Sequence, residues 1–281
     1  MTPGTHWVSG GCMIRGLQYP DDARKIIDSL HAGLAYDAAL AVLGNAVREL
    51  TLPGNRPDFS VPVRYGGRAE DEAVRRDAPG LLSRLAVISM VSRLEVHGQN
   101  LLLQRRVLEH LGGTDRRMTP EAMWKILTRV QKETREGPVA LCSRFVVEHP
   151  SSGLLERMKW LEGIYRVRNC VAHRLGRVQM TDVKKPGQSL EGVRDSDSLE
   201  ISWLRLQMTG SQGEIVSFPH TTVGQENLKF CFAEEHRELR IGDQIEITPS
   251  DCQAIAMSLS LIGNHLLGDF EREMNTVLRL Q

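Results

Sequence analysis

Two residues of this chain, Arg168 and His173, combine side chains that can do chemistry on a phosphate group. Arginine stays charged at neutral pH, and its fork of N–H donors fits phosphate oxygens. Histidine titrates near neutrality, so it can take up or release a proton. An RNA strand carries its own nucleophile, the 2′-hydroxyl, and its cleavage needs only proton transfer and stabilisation of charge on the phosphorane. Arginine and histidine together could supply both without a metal ion.

The pattern around this pair predicts a helix that ends near Val178 and positions both side chains. Its apolar stripe has spacings of four, three and four residues, as one face of a helix requires. The stripe consists of Leu154, Met158, Leu161 and Tyr165. Extending the stripe brings in Arg168, and a full charge on a core-facing position is costly unless it is paired or lines a cleft. A structural interpretation stays open, in which Arg168 pairs with an acid such as Glu95 and His173 only caps or packs.

The surroundings of the pair are basic. From Gly163 to Lys185 there are six Lys or Arg residues and one acid, Asp182. Three of these cations, Arg166, Arg174 and Arg177, are candidates to contact RNA phosphates without reading the sequence. Asn169 follows Arg168 directly and could hold a substrate phosphate or orient His173, or it could face solvent as an ordinary polar residue. Tyr165 and Trp160 could stack on a base, although core packing is the better explanation for both.

Composition excludes several other classes of protein. The net charge is zero and 41% of the residues are hydrophobic, which is ordinary for a globular protein. The five cysteines form no C-x-x-C pair, which argues against a disulfide scaffold or a zinc site and favours a reducing compartment. No apolar run approaches the length of a membrane span, and no signal peptide is evident, so we expect a cytoplasmic protein without membrane contact. Walker, G-x-S-x-G, G-x-G-x-x-G and H-E-x-x-H motifs are absent from the sequence.

The pattern along the chain predicts a mainly α-helical protein with a small antiparallel β-rich insertion before its last helix. Residues 1–80 are expected to form a mobile arm, a helical region and a long loop over 51–79. Residues 81–281 are expected to form one helical domain, with the β-rich insertion at about 199–247 as an addition to it. The predicted helices of this domain lie at 81–111, 119–136 with Thr119 as N-cap, 139–148 and 249–270. The buried face predicted for the last helix consists of Ile255, Leu259, Ile262, Leu266 and Phe270. The predicted strands lie at 199–203, 215–218, 228–232 and 245–247, with a hairpin turn at 209–213 and a solvated turn at 234–238.

The hexapeptide from Arg168 to His173, RNCVAH, resembles the R-x(4–6)-H signature of HEPN-domain ribonucleases, in which a polar residue often follows the arginine. The resemblance covers roughly residues 81–178 and 249–279. It implies an antiparallel helical bundle and a homodimer whose motif helices face each other. It also implies a metal-independent, cofactor-free endoribonuclease that acts by 2′-hydroxyl attack. Arg168, His173 and Asn169 would be catalytic. Glu95 and Tyr165 are candidates to orient these side chains without contacting the substrate. Many such proteins act as toxins or anti-phage effectors, so an antitoxin or regulatory protein is a further expected partner.

The same four-residue gap occurs at Arg105–His110 and Arg144–His149, and Arg24–His31 fits the six-residue gap that the signature also allows. Only Arg168 is followed by Asn and separated from its histidine by small residues. Two other functions stay open beside the nuclease. One is a non-catalytic module of the same fold that binds RNA, a nucleotide or a partner protein. The other is an antitoxin-like scaffold whose sheet is the interaction surface.

Overall fold

The computed structural model consists mainly of α-helices, with a small antiparallel sheet before the last helix, as the sequence predicts. It describes residues 19–46, 68–112, 118–135, 137–148, 153–184, 197–209, 215–216 and 229–279. The helices are α1 (Tyr19–Ala46), α2 (Arg68–Gly112), α3 (Pro120–Thr134), α4 (Pro138–Glu148), a 3₁₀ turn (Leu155–Arg157), α5 (Met158–Arg174), α6 (Met180–Val183) and α7 (Pro249–Arg279). The strands are β1 (Ser198–Thr209), β2 (Ile215–Val216) and β3 (Lys229–Arg240). Residues 1–18 of the arm predicted at 1–20 and residues 210–213 of the turn predicted at 209–213 lie outside the described residues, and Tyr19 and Pro20 belong to α1.

The core forms where α1, α2 and α7 pack on one another, and α2 also contacts α3, α4 and α5. The predicted apolar face of α7 is confirmed, since all five of its residues are at most 1% exposed: Ile255, Leu259, Ile262, Leu266 and Phe270. Within α1, residues Ala23–Ala46 are long and apolar enough to cross a membrane by length and composition. Side chains such as Ile27 and Leu30 of this helix are buried in the common core, which is typical of the central helix of a globular protein.

Helix α2 begins at Arg68, thirteen residues earlier than the start at Leu81 that the pattern of prolines and glycines suggests. The interpretation of 68–79 as loop is wrong, because Arg68–Gly112 is one helix with Pro79 inside it. A proline inside a helix costs roughly 3 kcal/mol. Pro79 is buried where α1 and α2 approach closely, and a Cβ at Gly44 would lie 3.1 Å from the Pro79 Cα atom. Residue 80, the expected domain boundary, thus lies inside a helix; residues 51–67 of the predicted loop lie outside the described part of the chain.

Two predicted helix boundaries are confirmed by the local hydrogen bonds and dihedral angles. Thr119 precedes α3, and its hydroxyl oxygen accepts from the Ala122 backbone N–H at 3.1 Å. Pro138 opens α4 after Gly137, whose φ of +89° is in the left-handed region that glycine tolerates. Helices α3 and α4 therefore form a short hairpin that packs beside α2 and α5.

The sheet has the strand order β2-β1-β3 with antiparallel pairing throughout. Its inner face belongs to the core and is not an addition to it: Leu199, Ile201 and Trp203 of β1 are at most 2% exposed. Helix α5 approaches β1 so closely that a Cβ at Gly163 would lie 3.2 Å from the Ile201 Cα atom. The sheet is therefore the surface against which α5 is held.

Two expectations about the sheet region are wrong. Residues 234–238 lie within β3 and pair with β1, where they were expected to form a solvated turn. Their charges are matched by partners from other elements: Lys159 and Trp160 donate to Glu234, and Arg205 donates to Glu235. Residues 245–247 form an extended connection to α7 and no strand, although Ile245 and Ile247 are buried as their apolar character requires.

Candidate functional site

Helix α5 carries Arg168, Asn169 and His173 in its C-terminal half. The first three positions of the predicted stripe, Leu154, Met158 and Leu161, are buried, and Tyr165 packs partly buried against the core. Arg168 continues the stripe and is half-buried, as is Asn169, whereas His173 is exposed. The helix therefore places the guanidinium at the edge of the core and the imidazole in solvent.

The guanidinium of Arg168 has one hydrogen-bond partner within the described structure, which is its own neighbour. Its Nη1 atom donates to Asn169 Oδ1 at 3.0 Å. Glu95 is half-buried on α2 and forms no ion pair with Arg168, so the pairing that the structural interpretation names does not form between these two described residues. Among the described residues, the Arg168 guanidinium contacts an amide and no carboxylate. Most of its N–H donors are therefore available to an anion.

The three other pairs with similar spacing differ from Arg168 and His173 in this respect. Arg24 forms an ion pair with Glu271 at 2.9 Å, and Arg105 donates to Glu109 at 3.2 Å. Arg144 donates to the Glu133 carbonyl oxygen at 3.0 Å. Each of these arginines has an internal acceptor on a neighbouring turn or helix; His149, the partner of Arg144 in the spacing, lies outside the described residues.

The backbone after α5 turns sharply and is tied to the strand-to-helix connection. Leu175 (φ +54°) and Gly176 (φ +88°) both lie in the left-handed region, and the Gly176 N–H donates to the Cys170 carbonyl oxygen at 3.1 Å. The Leu175 carbonyl oxygen accepts from Gln244 Nε2 at 2.8 Å and from Arg84 Nη1 at 3.3 Å. These bonds hold the end of α5, and so the position of His173, against two other elements.

Arg174 binds side chains of its own chain, whereas the sequence favoured contact with RNA phosphates. Its guanidinium contacts Asp182 at 3.0 Å and donates to Gln179 Oε1 at 3.1 Å and to Thr181 Oγ1 at 2.8 Å. Asp182 is 5% exposed, and its carboxylate also accepts from the Gln179 backbone N–H at 2.9 Å. Arg174 thus joins α5 to α6, and the sequence signal for this role was weak because Gln179 and Asp182 show only the spacing of a helix cap.

Cys170 lies in the middle of the hexapeptide and belongs to the core. Burial, with Asp182 as the next cause, raises the pKa of its thiol to about 11. A thiol with that pKa is protonated at neutral pH and is a poor nucleophile. Chemistry at this site must therefore come from the polar side chains beside it.

The other predicted residues are spread around α5. Tyr165 packs over the turn between α3 and α4, and a Cβ at Gly137 would lie 2.7 Å from its hydroxyl oxygen. Arg166 is half-buried, and Arg177 is exposed at the bridge that residue 177 forms with Gln244. Trp160 is 7% exposed and donates to Glu234 at 2.9 Å, so it belongs to the core and has no free face for a base.

Helical geometry separates the two principal side chains. Five residues along a helix correspond to about 7.5 Å of rise and to about 140° of rotation. Arg168 and His173 therefore leave α5 in different directions, and Asn169 projects between them. A substrate that contacts both must follow the exposed side of α5, or a second surface must face this helix.

Comparisons with known proteins add no assignment. No protein-family model matches the sequence, and no solved structure matches it at a significant level.

Proposed function

We propose that this protein is a metal-independent endoribonuclease of the HEPN type, which cleaves RNA at a site composed of Arg168, Asn169 and His173 from two copies of the chain. One observation supports this proposal above the others: the Arg168 guanidinium has an amide and no carboxylate as its described partner, while the arginines at the three comparable spacings are engaged internally. An arginine left with free donors at the edge of a core is suited to bind a phosphate.

The proposed reaction needs no group beyond these side chains and the RNA. The imidazole of His173 takes the proton from the 2′-hydroxyl, the 2′-oxygen forms a bond to phosphorus, and the bond from phosphorus to the 5′-oxygen breaks. His173 of a second copy gives a proton to that leaving oxygen, which yields a 2′,3′-cyclic phosphate and a free 5′-hydroxyl. Arg168 stabilises the negative charge of the phosphorane, a contribution often worth about 3 kcal/mol.

A second copy fits this geometry because one helix directs Arg168 and His173 to different sides. Facing α5 helices would bring the arginine of one chain near the histidine of the other. The resemblance to HEPN proteins favours the same homodimer. We also place the protein in the cytoplasm, as a toxin or anti-phage effector restrained by an antitoxin or regulatory protein.

The first test is cleavage of single-stranded RNA by the purified full chain in EDTA. We expect cleavage products that end in a cyclic phosphate, and no cleavage where the scissile position carries deoxyribose. His173→Ala should lower the rate at least about 10²-fold, the typical contribution of a positioned acid or base. His236→Ala is the matched control, since His236 is an exposed histidine on β3. If His173→Ala cleaves at the wild-type rate, the assignment is wrong.

One observation favours the alternative of a non-catalytic HEPN-like module that binds RNA, a nucleotide or a partner protein. Within the described residues, no side chain hydrogen-bonds the His173 ring, and catalytic histidines are usually oriented by a third group. In that case Arg168→Ala and His173→Ala would weaken RNA binding, and no condition would give turnover. Measuring binding and cleavage on the same variants separates the two functions.

A further inference from the structure

A cavity of about 540 Å³ lies beside the segment that follows α5. It is formed by residues 177–181 together with Ile241 and Gly242. Its floor is apolar: Val178 is buried, Ile241 is partly buried, and the Met180 side chain is 44% exposed. A cavity of this size with an apolar floor is within the range that binds small planar groups.

The cavity is connected to the proposed catalytic site through the residue that follows His173. Arg174 donates to the side chains of Gln179 and Thr181, which both line the cavity. The Arg177 backbone N–H donates to the Arg174 carbonyl oxygen at 3.0 Å, which places this part of the rim one turn beyond α5. The cavity is therefore joined to the end of α5 that carries His173.

The polar side chains at the rim present hydrogen-bond donors. An arginine can only donate, so the bond from Arg174 fixes the carbonyl oxygen of the Gln179 amide toward the guanidinium and leaves the NH₂ group to donate elsewhere. Arg177 adds an exposed guanidinium at the same rim. Two carboxylates adjoin the lining in sequence. Asp182 is buried and engaged by Arg174 and by the Gln179 backbone, and the exposed Asp243 accepts from the Arg240 backbone N–H at 2.8 Å.

The backbone oxygens of the same segment are already used as acceptors. The Val178 carbonyl accepts from the Gly242 N–H at 2.9 Å, and the Gln179 carbonyl accepts from the Asp182 N–H at 2.9 Å. The Met180 carbonyl accepts from the Lys184 N–H at 3.1 Å. A ligand that fills this cavity should therefore be flat and apolar on its faces and should carry acceptors along its edge.

We propose that this cavity binds a base of single-stranded RNA whose edge carries carbonyl acceptors, as uracil and guanine do, and so sets the sequence preference of cleavage. Binding of the base rests on the proposed function only in taking RNA as the ligand, whereas its effect on cleavage requires the proposed nuclease as well. The ring packs on Met180, whose sulfur contacts aromatic rings favourably, and its carbonyl oxygens accept from Gln179 and Arg177. Cytosine carries an amino donor where uracil has a carbonyl oxygen, and this donor would face the Gln179 NH₂ group.

The test is the affinity of two fluorescein-labelled oligonucleotides, U₁₂ and C₁₂, for the full chain with His173→Ala, measured by fluorescence anisotropy at one salt concentration. We expect U₁₂ to bind at least about fivefold more tightly than C₁₂, as expected for one discriminating edge contact. Gln179→Glu keeps the oxygen that accepts from Arg174 and replaces the outward donor by an acceptor. Its added charge weakens both oligonucleotides alike, so the measured quantity is their ratio, which should fall to one or reverse.

Met180→Ala gives a second, independent variant, which should weaken binding of U₁₂ about threefold through loss of the stacking surface. Leu206→Ala is its control, because Leu206 on β1 is 41% exposed and lies outside the cavity. Thermal unfolding of each variant confirms that it is folded. Equal binding of U₁₂ and C₁₂, or a ratio that Gln179→Glu leaves unchanged, would overturn the cavity assignment even if wild-type protein cleaves RNA. A discriminating ratio without cleavage would support the cavity and contradict the nuclease.

Discussion

Two groups of arginine side chains in this protein show opposite arrangements. In the sheet, Arg205 and Arg237 contact Asp251 at the start of α7 at 2.7 and 2.6 Å, and both also contact Glu235. Asp251 is fully buried, and the Arg237 guanidinium lies 4.8 Å from the centre of the Trp203 ring. On α5, Arg168 contacts only the amide of Asn169 among the described residues. The first group joins three elements of the fold, whereas the second leaves its charge available.

The comparison separates stability from activity. A buried ion-pair network holds its partners strongly because removing one charge leaves the others buried and unpaired. A half-exposed arginine beside an amide contributes little to the free energy of folding. Its replacement should therefore change only the binding or turnover of a ligand. Replacing an arginine of the sheet should therefore lower stability, and replacing Arg168 should lower activity.

The largest effect is expected for Arg168→Ala in the cleavage assay. Loss of one donor to the phosphorane should lower kcat about 10²- to 10³-fold, while the free energy of unfolding changes by about 0.5 kcal/mol or less. Single-turnover cleavage and urea unfolding measure the two quantities. The control is Arg24→Ala, which removes the arginine of the Arg24–His31 pair and should change neither kcat nor the free energy of unfolding. A loss of stability above the control would show that Arg168 belongs to the fold.

Arg237→Ala should give the reverse result. It leaves Asp251 with one of its two arginine partners and removes the cation above Trp203. We expect a loss of about 3 kcal/mol in the free energy of unfolding, with RNA cleavage by the folded fraction unchanged. Urea unfolding followed by circular dichroism measures the loss. Arg24→Ala again serves as the control, and an equal small effect in both variants would contradict a structural role for the network.

The same network predicts how stability depends on pH. Burial alone would raise the pKa of the Asp251 carboxyl, but hydrogen bonds from the Thr248 backbone N–H and from Arg237 outweigh it and hold the pKa below its ordinary value. The stabilisation is therefore fully present above the unfolded-state pKa of about 3.9 and is lost as the pH falls through the lower folded-state value.

Urea midpoints measured between pH 3 and pH 7 test this dependence. Wild-type protein should lose stability below about pH 4, and the difference between wild type and Asp251→Asn should narrow over the same interval. If the difference between the two proteins is the same at pH 3 and pH 7, the carboxylate of Asp251 does not provide the stabilisation.

The parts of the fold that sequence could predict are those set by neighbours in the chain. The apolar stripe of α7 and the Thr119 cap of α3 depend on residues within one or two turns, and both were predicted correctly. The start of α2 was missed because packing against α1 compensates for Pro79. The charges at 234–238 suggested a turn because their partners, such as Arg205 and Lys159, lie 30 to 75 residues away in sequence.

The candidate site shows the same division. The stripe on α5 correctly predicted where Arg168 lies, since helical periodicity alone determines that position. Arg174 was expected to contact RNA because its internal partners come after the left-handed turn at Leu175 and Gly176. Helical periodicity does not predict such a turn. Whether Arg168 and His173 perform catalysis stays a prediction.

The smallest effect is expected for Arg177→Ala, which tests the basic surface around α5. Arg177 is exposed, so its loss should not change stability and should weaken RNA binding only about threefold to tenfold. If Arg177 contacts a phosphate, the slope of log K against log salt should fall by about one. Arg174→Ala differs in kind, because loss of the link to Asp182 should destabilise α6 and the end of α5 as well as weaken binding. An unchanged salt slope for Arg177→Ala, with unchanged affinity, would show that RNA does not follow this side of α5.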